Sequence, residues 1–418
     1  MSELKFPFRS SANQLVSFVR WLILSCGAGT LIGLVAVAFH YGIHVATQLR
    51  LAHPHLLLLL PIVGMLIVLL YRVCGMERDR GTNLVLVAVR QAEPLRLRTA
   101  PLIFLSTVLT HLAGGSAGRE GAALQLGGSM AETAGRLLDL DKKDRRVLTM
   151  CGMSAAFSAL FGTPLTAAIF SMEVVSVGVM YYAAIVPCLL SSLTALELAQ
   201  LLGVHPEQYA VSGIPALTPL SITQAVGFGV GCALLSILFC KAVHTAPHLY
   251  DRVTKKPVVK ALLGGVLLLL LTFLVGGQDY NGAGSHMIEL ALAGEARPEA
   301  FLLKILFTAV TLGAGFRGGE IVPVLFTGAT FGCVAGPLIG LAPSFGGALG
   351  MAGVFCGATN CPISSILLAY ELFGGQSLPL FALCCGVSYM MSGYSGLYSE
   401  QKIVYSKFRP EWINKNAE

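Results

Sequence analysis

Charge is what this chain has least of. Only 12% of its 418 residues are Asp, Glu, Lys or Arg, about half of the roughly 25% typical of soluble domains. With 55% hydrophobic residues and a mean hydropathy of +0.74, the surface cannot face water alone, and a soluble enzyme or binding module is excluded. Other absences narrow the class further. The alternating pattern of a membrane β-barrel is missing. There is no CxxC among the eleven cysteines, which read as small buried apolar residues rather than disulfides or metal ligands. No basic run is interleaved with aromatics, so no nucleic-acid partner is expected. No Ser–His pair, paired Asp or metal triad appears at membrane depth, so no enzyme is expected. His111 finds no nucleophile, and His40 and His44 share a helix face without a third ligand. No metal site or cofactor is predicted. The start of the chain lacks a cleavable signal, and no long polar tail remains for a soluble domain.

What is present is apolar length. Runs at 55–71, 180–203, 221–243 and 258–277 are long, and those at 321–342 and 376–392 are interrupted by Gly and Pro. Backbone groups in lipid must be satisfied internally, so these read as helices of an all-α polytopic membrane protein. Basic residues gather in Lys5–Arg20, 136–146, 251–260 and 402–415. The positive-inside rule puts both termini in the cytoplasm of a multi-pass cell-membrane protein. The net charge of +6 reads as this topology signal.

The chain repeats itself. GMSAAFSALFGTPLTAAIFSMEVV (152–175) matches GMAGVFCGATNCPISSILLAYELF (350–373) at an offset of 198, with Gly, Met, Phe, Pro and Glu shared. GGSAGREGAALQLGG (114–128) has a counterpart in GAGFRGGEIVPVLFTGA (313–329). The two correspondences predict one transmembrane domain built of halves near 15–205 and 215–410. Such repeats place transport sites between them, at short interrupted helices.

Both glycine-rich stretches read as a turn followed by a helix start. A helix beginning inside the membrane leaves its first N–H groups without partners, and these suit an anion. Pro323 fits the first helical turn, and Thr82 or Asn83 fits a cap for a helix through 84–89. Glu120 is the informative charge. Ionised, it competes with an anion for the same N–H groups; protonated, it lets go. It therefore reads as gate and proton carrier, or alternatively as a structural ion pair with Arg119. Arg119 and Arg317 read as structural, paired with carboxylates or carbonyls, and so do Glu173 and Glu371 at equivalent repeat positions.

These residues resemble the CLC family of chloride channels and anion/proton antiporters across essentially the whole chain. GREGA (118–122) is similar to the family's GREGP, and GGEIVP (318–323) to its GxFxP element. Tyr398 stands where the family has its anion-coordinating tyrosine, late in the chain and before a last helix. The resemblance implies an inverted-repeat fold with broken and re-entrant helices, a homodimer and an anion path in each subunit. Where chloride-handling members have GSGIP, this chain has GTNLV (81–85). Where exchangers carry an inner proton-handling glutamate, it has Val174. Both departures, and the glutamate in GGExxP, resemble the fluoride-exporting CLC-F branch, bacterial in type. That branch often has a Thr where this chain has Val322, so no hydroxyl role carries over. Its aromatics after the first motif have no match in 84–89.

The resemblance implies a fluoride/proton antiporter that confers fluoride resistance. Glu120 gates, and Glu320 supports proton handling or fluoride passage. The backbone N–H groups of Glu120, Gly121, Ala122, Glu320, Ile321 and Val322 cradle the anion, and Tyr398, Thr82 and Asn83 close its inner side. Fluoride is strongly hydrated and needs strong donors in place of water, which an Asn amide supplies. The partners are fluoride, protons and lipid. The alternatives are a chloride/proton antiporter or chloride channel of the same fold, chloride being the possible second substrate.

Overall fold

The structure is a computed structural model. It describes residues 6–77, 79–91 and 93–418, with side chains from residue 13 onward. The amino terminus and Lys5 of the first basic cluster lie outside the described residues. Among the described residues sixteen α-helices dominate. The first eight are α1 (Phe6–Ala52), α2 (Leu60–Val73), α3 (Thr82–Gln91), α4 (Thr99–Ala113), α5 (Glu120–Leu137), α6 (Lys142–Phe161), α7 (Pro164–Glu173) and α8 (Ile185–Leu201). The second eight are α9 (Pro219–Val253), α10 (Pro257–Val275), α11 (Ser285–Ala293), α12 (Ala300–Gly313), α13 (Ile321–Ala335), α14 (Pro343–Thr359), α15 (Pro362–Phe373) and α16 (Leu378–Met391). Six helices among the described residues are long and apolar enough to cross a membrane.

Helices eight places apart in this order make matching contacts. α1 packs on α4, α6 and α8; α9 packs on α12, α14 and α16. α5 lies on α6 as α13 lies on α14, and both pairs approach through glycine. A methyl on Gly127 would sit 2.1 Å from the Gly152 carbonyl oxygen, and one on Gly328 2.4 Å from that of Gly350. In a membrane, where apolar contact gives no preference over lipid, such close backbone approach is what holds helices together.

The halves also exchange groups. Glu371, ending α15, accepts hydrogen bonds from the N–H groups of Leu165 and Thr166 at the start of α7, both at 2.8 Å. Glu173, ending α7, accepts from Ile363 (3.1 Å) and Ser364 (2.9 Å) at the start of α15. Each glutamate satisfies orphan donors of the other half's helix.

Several basic side chains are tied to acidic groups or backbone carbonyls of neighbouring segments. Arg20 of α1 pairs with Asp144 at the start of α6 (2.7 Å). Arg136 bonds to Leu95 O, Arg96 to Gly75 O, and Arg80 and Arg90 to Glu400. Asp141 begins α6 as its cap, accepting from Lys143 and Asp144 N–H at 2.9 and 2.8 Å. These bonds, that of Asp144 first, hold its carboxyl below the usual carboxylate range. The far end of α1, Ile43–Leu51, opens on a cavity described below.

One expectation fails. The segment after Tyr398 is not a helix. It forms β2 (Lys402–Tyr405) and β3 (Trp412–Asn416), antiparallel to each other, with β2 parallel to the short β1 (Ser176–Val177). Adjacent β-branched Ile403 and Val404 suit a strand, and Pro410 between the strands cannot continue a helix. Gln401 fixes the turn into β2, donating to Val174 O (3.0 Å) and Thr359 O (2.8 Å). Lys407, between the strands, lies at the ends of α14 and α16, donating to Asn360, to Tyr389 O (2.9 Å) and to Ser392 Oγ (3.0 Å). The eleven cysteines form no disulfide, and nine are buried.

Candidate anion site between two helix starts

The GRE and GGE turns meet. Gly118 N–H donates to Gly319 O (2.7 Å), and Gly319 N–H donates to Gly118 O (2.8 Å). This two-bond clasp sets α5 and α13 with their first turns together. Glycine is required by the close approach. A methyl on Gly319 would lie 2.5 Å from Gly121 N, and one on Gly121 would lie 2.9 Å from Gly319 Cα and 3.1 Å from Glu320 Oε2. No side chain caps either helix start from the usual position, so the first N–H groups stay free of that competition.

Glu120 is the first residue of α5 and fully buried. Its carboxylate folds back over that start. Oε2 accepts from Arg119 N–H (3.2 Å), and Oε1 accepts from Arg119 Nε (3.0 Å). Arg119 also donates to Glu207 Oε1 (2.7 Å), Leu160 O (3.2 Å) and His40 Nδ1 (3.0 Å). The structure thus contains the Arg119–Glu120 pair, but the arginine is shared.

Glu320 immediately precedes α13. Its Oε2 is shielded from solvent and takes no hydrogen bond from the protein. Arg317, three residues earlier, turns away. It pairs with Asp79 (3.5 Å) and stacks on the Tyr71 ring at 4.3 Å. The Tyr398 hydroxyl, 1% exposed, also lacks a protein partner. Buried polar atoms usually find a partner, and these two have none within the protein.

Gly121, Ala122, Ile321 and Val322 are buried in the first turns of α5 and α13, and Val322 presents only methyl groups. Thr82 and Asn83 depart from the expected capping role. Helix α3 already begins at Thr82, after Gly81 with φ +63°. The Thr82 hydroxyl donates to Gly121 O (3.2 Å) and so ties α3 to α5. Asn83 Oδ1 accepts from Glu400 N–H (3.0 Å), which ties α3 to the segment just after Tyr398. Pro323 falls in the first turn of α13, as expected.

Sequence reading missed three groups here. Gln125, one turn into α5, bonds to Thr82 Oγ1 (3.4 Å) and leaves its buried Oε1 unpaired. His40 receives Arg119. Glu207, 88 residues from its arginine, belongs to the polar HPEQY stretch joining the halves, whose acid in a charge-poor chain was the available signal. A cavity of about 500 Å³ opens over Glu120, between the end of α1 and the start of α11.

A family model described as voltage gated chloride channel matches residues 63–393. A chloride/fluoride channel protein of Pseudomonas syringae pv. tomato is 34% identical over 96% of this chain and 91% of its own. The crystal structure of a CLC-type fluoride/proton antiporter superposes with a TM-score of 0.89 and 32% identity, covering 92% of this chain and 98% of that one. A slow cyanobacterial chloride/proton antiporter, 17% identical with a TM-score of 0.73, shares the fold. The clasped helix starts and the extent of these matches make one conclusion: the chain belongs to the voltage-gated chloride channel family.

Proposed function

We propose that this protein exchanges fluoride for protons, an inward proton gradient driving fluoride out of the cell. The observation that carries the reading is the Glu120 carboxylate lying on the start of α5, in a chain 32% identical to a fluoride/proton antiporter over nearly its whole length. An ionised Glu120 and a bound anion want the same N–H groups. Protonation ends that competition, so one side chain opens the path and carries the proton. The N–H groups of Glu120–Ala122 and Glu320–Val322 hold the anion, with the Tyr398 hydroxyl on the inner side. Glu320 assists proton handling or fluoride passage, and the Asn83 amide offers N–H donors to the anion. The basic clusters of the sequence support a cell-membrane topology with both termini in the cytoplasm. The matched contacts of helices eight apart support an internal duplication, with halves near 15–205 and 215–410. We take the protein to act as a homodimer, as its family does.

The test is fluoride efflux from loaded liposomes with pH recorded on the same sample. Wild type should lose fluoride and take up protons together, and Glu120→Gln should move no protons. Equal chloride and fluoride fluxes would make it a chloride transporter of the same fold. Fluoride flux without proton movement in wild type would make it a channel.

A further inference from the structure

Arg119 answers to two carboxylates. It reaches Glu120 through Nε (3.0 Å) and Glu207 through Nη2 (2.7 Å). The two acids differ in freedom. Glu120 is fully buried, while the Glu207 side chain is 28% exposed. Glu207 is also held in place: its second oxygen accepts from the Tyr209 hydroxyl (2.9 Å). Tyr209 is fixed in turn by its N–H to Leu372 O (3.0 Å) and by its ring against Phe373 at 6.4 Å. Both anchors belong to α15, so the second half holds in place the acid that meets the first half's gate.

We propose that Glu207, oriented by Tyr209, is a positioning residue for the Glu120 gate. When the Glu120 carboxylate leaves the start of α5, Arg119 would otherwise remain as a buried cation without its acid, which is strongly unfavourable. Glu207 keeps the guanidinium paired in both positions of the gate. It also divides the attraction of Arg119 while Glu120 is docked, so the docked state is held less tightly. This rests on the gating role proposed above for Glu120.

Other ionisable groups face the same space. His44 and Arg50 come from α1, and His111 from α4. Asp279 precedes α11, which adds His286 and Glu289. Glu320, with its Oε2 beside Gly121, adjoins Glu120, and Tyr398 is fully buried. Among the described residues, His40 is the one further side chain bonded to Arg119, and it is left unchanged by the variants below.

The test uses purified full-length protein in liposomes, with proton-coupled fluoride efflux measured across external pH. Glu207→Gln keeps size and a hydrogen bond to Tyr209 but loses the charge. Arg119 then commits to Glu120, and the pH of half-maximal exchange moves about one unit toward acid, equivalent to roughly a tenfold lower rate at neutral pH. Glu207→Asp should restore most of the wild-type profile. Tyr209→Phe should shift it in the same direction by less, and it carries the test if Glu207→Gln does not fold. With Glu120→Gln in the background, Glu207→Gln should have no further effect on fluoride flux. Overlapping profiles for wild type and both variants overturn the inference, as does an equal loss with and without Glu120. If wild type itself moves no protons with fluoride, the antiporter reading has failed instead.

Discussion

The turns before α5 and α13 share a design and use it oppositely. Each brings glycine, arginine and glutamate to a helix start, and each donates one bond of the Gly118–Gly319 clasp. In the first turn the arginine adjoins the glutamate and holds it. In the second it is spaced two glycines away and leaves for Asp79 and Tyr71. One acid is docked and paired; the other keeps an unpaired buried oxygen. A charge-assisted partner fixes a carboxylate in one place, whereas an unpaired carboxylate stays available to another ligand. The two turns are alike in sequence, and the position of one arginine separates their geometry.

The most severe way to break this comparison is to part the turns. Gly319→Ala puts a methyl 2.5 Å from Gly121 N, and fluoride efflux in liposomes should fall roughly a hundredfold, the scale of a misplaced site. Next come the acids themselves. Glu320→Gln should slow fluoride exchange about tenfold, ~1.4 kcal/mol of barrier, yet leave the remaining flux coupled to protons. Simultaneous fluoride and pH recording checks it against Glu120→Gln, and uncoupling by both would erase the distinction. Asp79→Asn removes the partner of the second arginine. It should lower the thermal midpoint by a few degrees while the pH profile of exchange stays in place; a shifted profile would make Arg317 part of the gate.

The smallest effect lies far from both turns. Asp141 caps α6, and backbone N–H groups hold its carboxyl below the ordinary range. The stabilisation is present above the unfolded-state value, about 3.9, and disappears as pH falls through the depressed native value. Asp141→Ala should therefore melt slightly below wild type at neutral pH, and the gap should close in strong acid. Melting curves across pH check this, and a constant gap refutes it.

Both turns and Pro323 were legible because each depends on local sequence: glycine for close approach, proline for a first turn. The structural roles of Arg317, Glu173 and Glu371 were legible in kind but not in partner. Long-range pairings were hidden. Nothing near Arg119 points to Glu207 or His40, and nothing near Asn83 points to Glu400. The capping role expected of Thr82 and Asn83 failed because α3 already begins at Thr82, after Gly81 at positive φ, so both residues lie inside the helix. The final helix failed because four residues of strand-forming sequence were outweighed by analogy with relatives.

The crossed glutamates have one more consequence. Glu173 and Glu371 each fasten the other half's helix, and the glycine clasp joins the halves again between them. Tilting one half against the other would strain all of these bonds at once. Bonds that cross the midline at three places resist rocking of one half against the other, whereas turning the Glu120 side chain breaks none of them.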